Sequence, residues 1–542
     1  VIRQSVPSSN PPTVSARRVV IAEPFAESGL AVLRESGIEI DSQIGKPRDA
    51  LIAALASADG LIVRSETKVD RELLAAGRRL LAVARAGVGV DAIDVDAATQ
   101  AGIVVLNTPG ANTIAAAEQT FALMLALVRH TVDAASALRR GHWDRKSFVG
   151  TELHGKTLGI VGFGRIGAYV AERARVFGMK LLVHDPYATQ SRADAFGVEL
   201  VTLPELLTRS DIVTLHVALN EQTRGMIGER ELALLRPHAR LVNVSRGGAV
   251  NEEALLEALD TGKLAGAALD VVAQEPPPSG STSARLHRHP KVVATPHLGG
   301  STVEAQERIA VELAEDLARV LLGSPASGAV NAPVFGGPEG ERMRPFLETA
   351  YRIGRFYPQY ARPSSLPTFT LVAEGELADF DPTPLVTSFL SGLLQVTTDR
   401  RVTIVNAEAI ARELGVRVES HAAPRRGAYA STLRLVAGAT TITGTVVNAS
   451  PRIVDLDGFE IDAIPVGGLV LTKHRDVPGM IGKVGTILGD AHVNISSMQV
   501  SRTQDVGGDA IMVLGVDGRV PDEAIQWLRK VPGINAVHAI EV

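Results

Sequence analysis

Residues 157–187, TLGIVGFGRIGAYVAERARVFGMKLLVHDPY, run from a β-branched apolar segment through Gly162-x-Gly164-x-x-Gly167 into a helical stretch, then out along a second apolar segment ending at Asp185. The three glycines answer three steric needs. The first permits the tight turn, the second lets backbone approach a pyrophosphate, and the third lets helix and strand pack closely. The phosphates then rest on amides at the helix start. A lone GxGxxG is a weak signal, but here a strand precedes it, a helix follows it and an acid stands 23 positions after Gly162. Asp185 would accept hydrogen bonds from the adenosine ribose and repel a 2′-phosphate, which favours NAD over NADP.

The same alternation extends in both directions. Upstream lie VVIAEP, GLIVRSET, LLAVARAG and IVVLNTPG with alanine-rich helical stretches between them; downstream lie DIVTLHVAL, ARLVNVSRGG, GAALDVVAQEPP and VVATPHLGG. Short apolar runs separated by helices imply parallel strands with crossover helices, a doubly wound α/β sheet whose ligands gather at the carboxyl ends of the strands. VVA before His297 reads as a buried strand. TIAAAEQTFALMLALVRH, from Thr113, reads as an apolar helix buried between lobes or subunits, and residues 301–323 as a further helix. The Pro/Gly-rich NAPVFGGPEG, 331–340, marks a domain break. Residues 467–542 read as βαββαβ, the ferredoxin-like order.

Composition narrows the function classes. The chain has 542 residues, enough for three or four domains, with 55 Lys+Arg against 60 Asp+Glu and no basic stripe, so nucleic acid is not an expected partner. It contains no cysteine, which removes disulfides, thiolate metal sites and thiol nucleophiles; no metal site is expected. No apolar run is long enough to span a bilayer, and a cytoplasmic protein without a membrane partner is expected. Residues 1–17, Ser/Pro-rich and free of acids, read as a disordered tail.

Three ionisable residues stand at consecutive strand ends: Arg246 in NVSRGG, Glu275 in VAQEPP and His297 in TPHLGG. A histidine titrates near neutrality and suits proton exchange with an oxygen while hydride leaves carbon; a carboxylate beside it would orient the ring. The forked guanidinium of Arg246 suits the carboxylate and carbonyl oxygen of a 2-oxo or 2-hydroxy acid. Each residue singly has a bland reading as a surface ion pair, a loop acid or a strand-end histidine. Behind a dinucleotide fingerprint, the three together read as a catalytic set. Arg64, Arg85 and Lys68 follow other strands and could bind further negative charge.

The stretch 18–335 resembles the D-isomer-specific 2-hydroxyacid dehydrogenases, through GFGRIG, SRGGAV, LDVVAQEP and TPHLGGST. The resemblance implies a Rossmann-like NAD domain (113–297) inserted into a flavodoxin-like substrate domain (18–112 and 298–335). It implies Arg246, Glu275 and His297 as catalytic residues. Arg165 and Ile166 would lie on the pyrophosphate and Asp270 at the nicotinamide end, with Val244, Ser245, Gly299 and Gly300 beside the cofactor. RSETKV, RAGVGVD and NTPGANTIAAAE are most similar to the branch that oxidises D-3-phosphoglycerate to 3-phosphohydroxypyruvate, the first step of L-serine biosynthesis. That branch implies Arg64, Ser65, Lys68, Arg85, Gly87 and Asn112 as substrate-binding residues.

Residues 444–468 are similar to the end of an α+β intervening domain found in long-form members (336–466 here), and 467–542 resemble an ACT domain. The implied effector is L-serine, with His474, Asp476 and Asn494 at the matching positions, and the implied assembly is a homotetramer. Two rival readings are the same chemistry on glyoxylate or hydroxypyruvate, and a NAD-sensing scaffold of the corepressor kind that shares the fold.

Overall fold

The computed structural model describes residues 17–323, 328–332, 337–425, 427–502 and 508–542. Of the stretch expected to be a disordered tail, residues 1–16 lie outside the described residues. Arg17 is already part of the fold: its carbonyl accepts from Glu39 N (2.8 Å) and its guanidinium meets the buried Asp59 (3.1 Å). The expected boundary at 335/336 also lies outside the described residues, and a helix, Gly337–Ala361, begins inside the Pro/Gly-rich stretch.

Two parallel sheets carry the first part of the chain. One consists of β1 (Arg18–Ile21), β2 (Glu39–Ser42), β3 (Gly60–Val63), β4 (Ala82–Arg85) and β5 (Val104–Leu106) in the order β2-β1-β3-β4-β5, the flavodoxin-like arrangement. Its inner strands carry buried apolar runs, Val19–Ile21, Gly60–Val63 and Ala82–Ala84, as a parallel sheet covered on both faces requires, whereas the edge strand β2, EIDS, is polar and partly exposed. Helix Val303–Leu321 returns to this sheet: Ile309, Leu313 and Leu317 share a core with Val19, Ile21 and Ile62.

The second sheet consists of β6 (Thr157–Val161), β7 (Lys180–His184), β8 (Glu199–Leu200), β9 (Ile212–Leu215), β10 (Arg240–Asn243), β11 (Gly266–Leu269) and β12 (Val292–Ala294). Its order is β12-β11-β10-β9-β6-β7-β8, all parallel, so the chain winds one way from β6 and the other way from β9. The crevice between β6 and β9 is the switch point where such sheets take ligands. β12 departs from expectation. It is the edge strand and only half-buried; an apolar run as short as VVA does not distinguish an edge from a centre. Helix Thr113–Val128 packs its Phe121, Met124 and Leu127 into this domain's core, as its apolar sequence requires.

Beyond residue 337 a six-stranded mixed sheet is backed by helices Gly337–Ala361 and Thr383–Thr397. The last sheet runs Ile495–Arg502, Asp509–Val516, Gly468–Arg475, Ile534–Glu541, antiparallel, with helices Met480–Asp490 and Asp522–Arg529 on one face. Its other face contributes Leu469, Leu471, Val513 and Ile540 to the core of the preceding module, so the two share one apolar interior.

Candidate active site

Arg246, Glu275 and His297 follow the adjacent strands β10, β11 and β12, and buried polar side chains set the shape of each turn. Asn243, 1% exposed, donates from Nδ2 to the Arg246 carbonyl (2.9 Å) and accepts from Ser245 N (3.0 Å) and Oγ (2.8 Å). Gly247 has no room for a side chain: a Cβ there would sit 2.0 Å from the Val272 carbonyl carbon, so the Arg246 turn lies directly on the Glu275 loop. Glu252 holds that loop from behind, accepting from Ala273 N (2.7 Å) and Ser283 Oγ (2.5 Å).

His297 Nδ1 lies 2.6 Å from Glu275 Oε2, which also leaves Nε2 to meet a ligand. Burial pushes the Glu275 carboxyl up, but the His297 contact, the Val272 N–H (3.0 Å) and the charge of Arg246 outweigh it and hold it below the usual carboxylate range. The carboxylate therefore stays charged beside the ring. His297 takes a left-handed backbone, φ +54°, a conformation costing a β-carbon residue about 1–3 kcal/mol unless its surroundings impose it. Asp270 imposes it. Its carbonyl accepts from His297 N (2.8 Å), and its buried carboxylate accepts from Leu298 N (2.8 Å), Gly299 N (2.7 Å) and Thr295 Oγ1 (2.5 Å). Gln119 Nε2 closes the network on Thr295 Oγ1 (3.1 Å). Asp270, expected at the nicotinamide end, thus has both oxygens committed to the histidine turn.

The opposite wall comes from the first sheet. A cleft of about 300 Å³ brings Arg64 and Ser65, after β3, and Arg85, at the end of β4, to the same space as Arg246, Glu275 and His297. Burial, then the neighbouring Arg246, pushes Arg85 down to about 10, so it keeps its charge at neutral pH. Gly87 contributes by having no side chain: its Cβ would fall 1.5 Å from Arg85 Nη1. Asp91, the last residue of RAGVGVD and not singled out from the sequence, reaches across to Arg246 Nε (3.1 Å). Lys68 is not brought to the cleft; it is exposed, and its carbonyl accepts from Arg48. Asn112 sits at the start of helix Thr113–Val128 with its Oδ1 buried and unpartnered, next to Gly300. Gly299 lies against Asp270 and Val244, so these groups form one corner.

The nucleotide end fits a dinucleotide. Gly162 has φ +93°, and a Cβ there would meet the His216 carbonyl oxygen at 2.4 Å, while one at Gly167 would meet the Gly162 carbonyl oxygen at 2.1 Å. Above Gly164 a Cβ would find nothing within 4 Å, which leaves the start of helix Arg165–Val176 open to a phosphate. Ile166 packs on the domain core and Arg165 reaches toward Gly110 of the first lobe. Asp185 is fixed by the N–H groups of Phe163 (2.6 Å) and Tyr187 (2.8 Å). His216 at the switch point was not singled out from the sequence. Burial pushes its imidazole down to about 3, Nε2 meets Thr214 Oγ1 (3.0 Å), and its buried Nδ1 has no protein partner. Among the described residues no group of three His, Asp or Glu is placed to hold a metal ion.

The three expected effector residues are not drawn into one cluster. His474 is 2% exposed and turns inward to Thr472, Asp476 accepts from Arg502 (3.0 Å), and Asn494 donates to Asp517 (2.6 Å). The resemblance to an ACT domain located them, and the pleat of strand Gly468–Arg475 sends residue 474 into the core of its own chain.

Known proteins share this arrangement. Residues 121–299 match the NAD binding domain of the D-isomer specific 2-hydroxyacid dehydrogenases, 342–457 the D-3-phosphoglycerate dehydrogenase intervening domain, and 469–533 the ACT domain. Over 532 residues the chain is 42% identical to the D-3-phosphoglycerate dehydrogenase of Synechocystis sp., spanning 97% of this chain and 95% of that one. The chain belongs to the D-3-phosphoglycerate dehydrogenase family. Family members from Bacillus subtilis (40% identical, 97% and 99% covered) and Methanocaldococcus jannaschii (39%, 97% and 100%) match it as fully. Among solved structures, a protein from Thermus thermophilus superposes with TM-score 0.54 at 37% identity, covering 58% of this chain and 99% of that one. A glyoxylate reductase from Paecilomyes thermophila does so with TM-score 0.53 at 30% identity, covering 58% and 98%. The likeness to D-3-phosphoglycerate dehydrogenases extends over the intervening and ACT domains as well, and it bears out the resemblance carried by GFGRIG, SRGGAV and TPHLGGST. No single helix among the described residues is long and apolar enough to cross a membrane.

Proposed function

We propose that this chain oxidises D-3-phosphoglycerate to 3-phosphohydroxypyruvate, opening L-serine biosynthesis, in the cleft between its first two sheets. The observation that carries the reading is the convergence of a hydrogen-bonded imidazole and carboxylate with three arginines in one cleft. The amides at the start of helix Arg165–Val176 and the Asp185 carboxylate would hold NAD, which when bound accepts the C2 hydrogen as hydride. His297 Nε2 takes the proton from the C2 hydroxyl. Glu275 keeps Nδ1 protonated and the ring in place, and stabilises the imidazolium. Arg246 binds the carboxylate and polarises the C2 oxygen, while Arg64, Ser65 and Arg85 receive the phosphate. Asp270, Val244, Gly299, Gly300 and Asn112 shape the corner against which the reacting carbon lies.

The same reading assigns 18–112 with 298–335 to substrate binding and 113–297 to the cofactor, with 336–466 and 467–542 as intervening and ACT units. It takes L-serine as effector, a homotetramer as assembly and the cytoplasm as location. The exposed edge strand Ile495–Arg502, with Met498 and Val500 outward, supports pairing between chains. Purified protein should oxidise NADH when given 3-phosphohydroxypyruvate, with a lower KM than for glyoxylate or hydroxypyruvate. Faster turnover of the smaller acids would move the assignment to the glyoxylate reductases. Serine titrated into that assay, and light scattering of the chain, test effector and assembly.

A further inference from the structure

We propose that Glu23 is a positioning residue for the anionic end of the substrate: its buried carboxylate gathers the backbone N–H groups of Arg64, Glu66 and Thr67 and fixes the turn that presents Arg64 and Ser65 to the cleft. The inference rests on the function proposed above and adds to it a residue that touches no ligand.

β1 ends at Ile21, but the Ala22 N–H still donates to Ile62 (3.0 Å), so the chain stays beside β3 for one more residue before Glu23 crosses its end. There Glu23, 6% exposed, accepts from Arg64 N (2.8 Å) and Thr67 N (2.9 Å) on Oε1 and from Glu66 N (3.2 Å) on Oε2. Burial pushes the carboxyl up, but these three N–H groups and the Thr67 side chain hold it below its usual value, so the anion persists. Amides converging on one point form the kind of nest that elsewhere binds phosphate. Here an internal carboxylate fills the nest, and the substrate's anionic group is left to the side chains of Arg64, Ser65 and Arg85. The same negative charge lies close enough to Arg85 to favour its protonated form, offsetting part of the repulsion from Arg64 and Arg246.

The test uses the full chain with Glu23→Gln, which keeps the shape but replaces one acceptor oxygen by a donor and removes the charge. We expect the KM for 3-phosphohydroxypyruvate to rise about tenfold or more, with kcat within about threefold and the KM for NADH unchanged, as for loss of uniform binding. With unphosphorylated hydroxypyruvate, kcat/KM should change by less than about twofold. Hydrogen exchange at amides 64, 66 and 67 should be slow in the wild type and fast in the variant. Equal losses for both substrates and NADH would reduce Glu23 to a general structural residue; no change in KM or exchange would end the proposal outright. Should Glu23→Gln fail to fold, Glu23→Asp, which keeps the charge and shortens its reach, answers to the same criteria. If the wild type does not reduce 3-phosphohydroxypyruvate, the functional reading fails, and the exchange result alone decides whether Glu23 orders the turn.

Discussion

Arg85 shows why the positive charges of the cleft are arginines. Burial and two neighbouring cations displace it from its ordinary value down to about 10, which leaves it charged across the physiological range. A lysine starts lower, near 10.4, and a comparable displacement would bring its pKa to about 8. Raising pH would then remove the proton, and with it the anion-binding charge. In Arg85→Lys, KM for the phosphorylated substrate should therefore climb steeply from pH 7 to pH 9 while the wild type changes little. Stability should move the other way, since a cation whose folded pKa is depressed costs stability in full below that value, and the cost falls progressively as pH rises from about 8 toward the unfolded value near 10.4. Steady-state KM and thermal melts across that pH range measure both, and a pH-independent KM in the variant would show the site to be wetter than its burial indicates.

Among the elements, the turn between β6 and helix Arg165–Val176 separates two kinds of glycine. A methyl at Gly167 would lie 2.1 Å from the Gly162 carbonyl oxygen, so Gly167→Ala should overpack the helix against the strand by about 1–3 kcal/mol and lower both the melting temperature and NADH affinity. A methyl at Gly164 meets no protein atom within 4 Å, so Gly164→Ala should keep the melting temperature and weaken NADH alone. Fluorescence titration and thermal melts separate the two, and equal effects would mean the helix start is not the phosphate seat. This element was legible in sequence because its signals are local: glycine spacing, a strand before, an acid after. The supports of the catalytic turns were not. Asp270 reaches Leu298 and Gly299, and Glu252 reaches Ser283, across intervening strands and helices that no periodicity links. Asp91 meets Arg246 only because two separate sheets face each other. The inward face of His474 was hidden for the converse reason, since its turn was legible but the face of its strand was not.

At the scale of the whole molecule, the intervening domain holds the first sheet by the end opposite the cleft. Arg401 donates to the carbonyls of Arg78 (3.2 Å) and Leu80 (2.8 Å), just before β4, and Thr403 Oγ1 to that of Gly102 (3.2 Å), just before β5. A Cβ on Gly102 would stand 2.8 Å from Thr403 Oγ1, so the contact is close. β4 delivers Arg85 at its far end, away from the docked end, and β5 leads to the turn carrying Asn112. Whatever shifts the intervening domain pulls on the strands that place Arg85, the cation proposed to bind the anionic substrate. Arg401→Ala leaves two carbonyls without this donor, a loss of about 1–3 kcal/mol if they remain buried. Its neighbour Arg400 pairs with the exposed Glu413 (2.6 Å), a surface ion pair worth about 0–1 kcal/mol. Hydrogen exchange of the full chain should therefore quicken around 78–82 and 100–104 in Arg401→Ala and stay unchanged in Arg400→Ala. Identical exchange in the two variants would mean that the Arg401 contacts do not hold these strand starts.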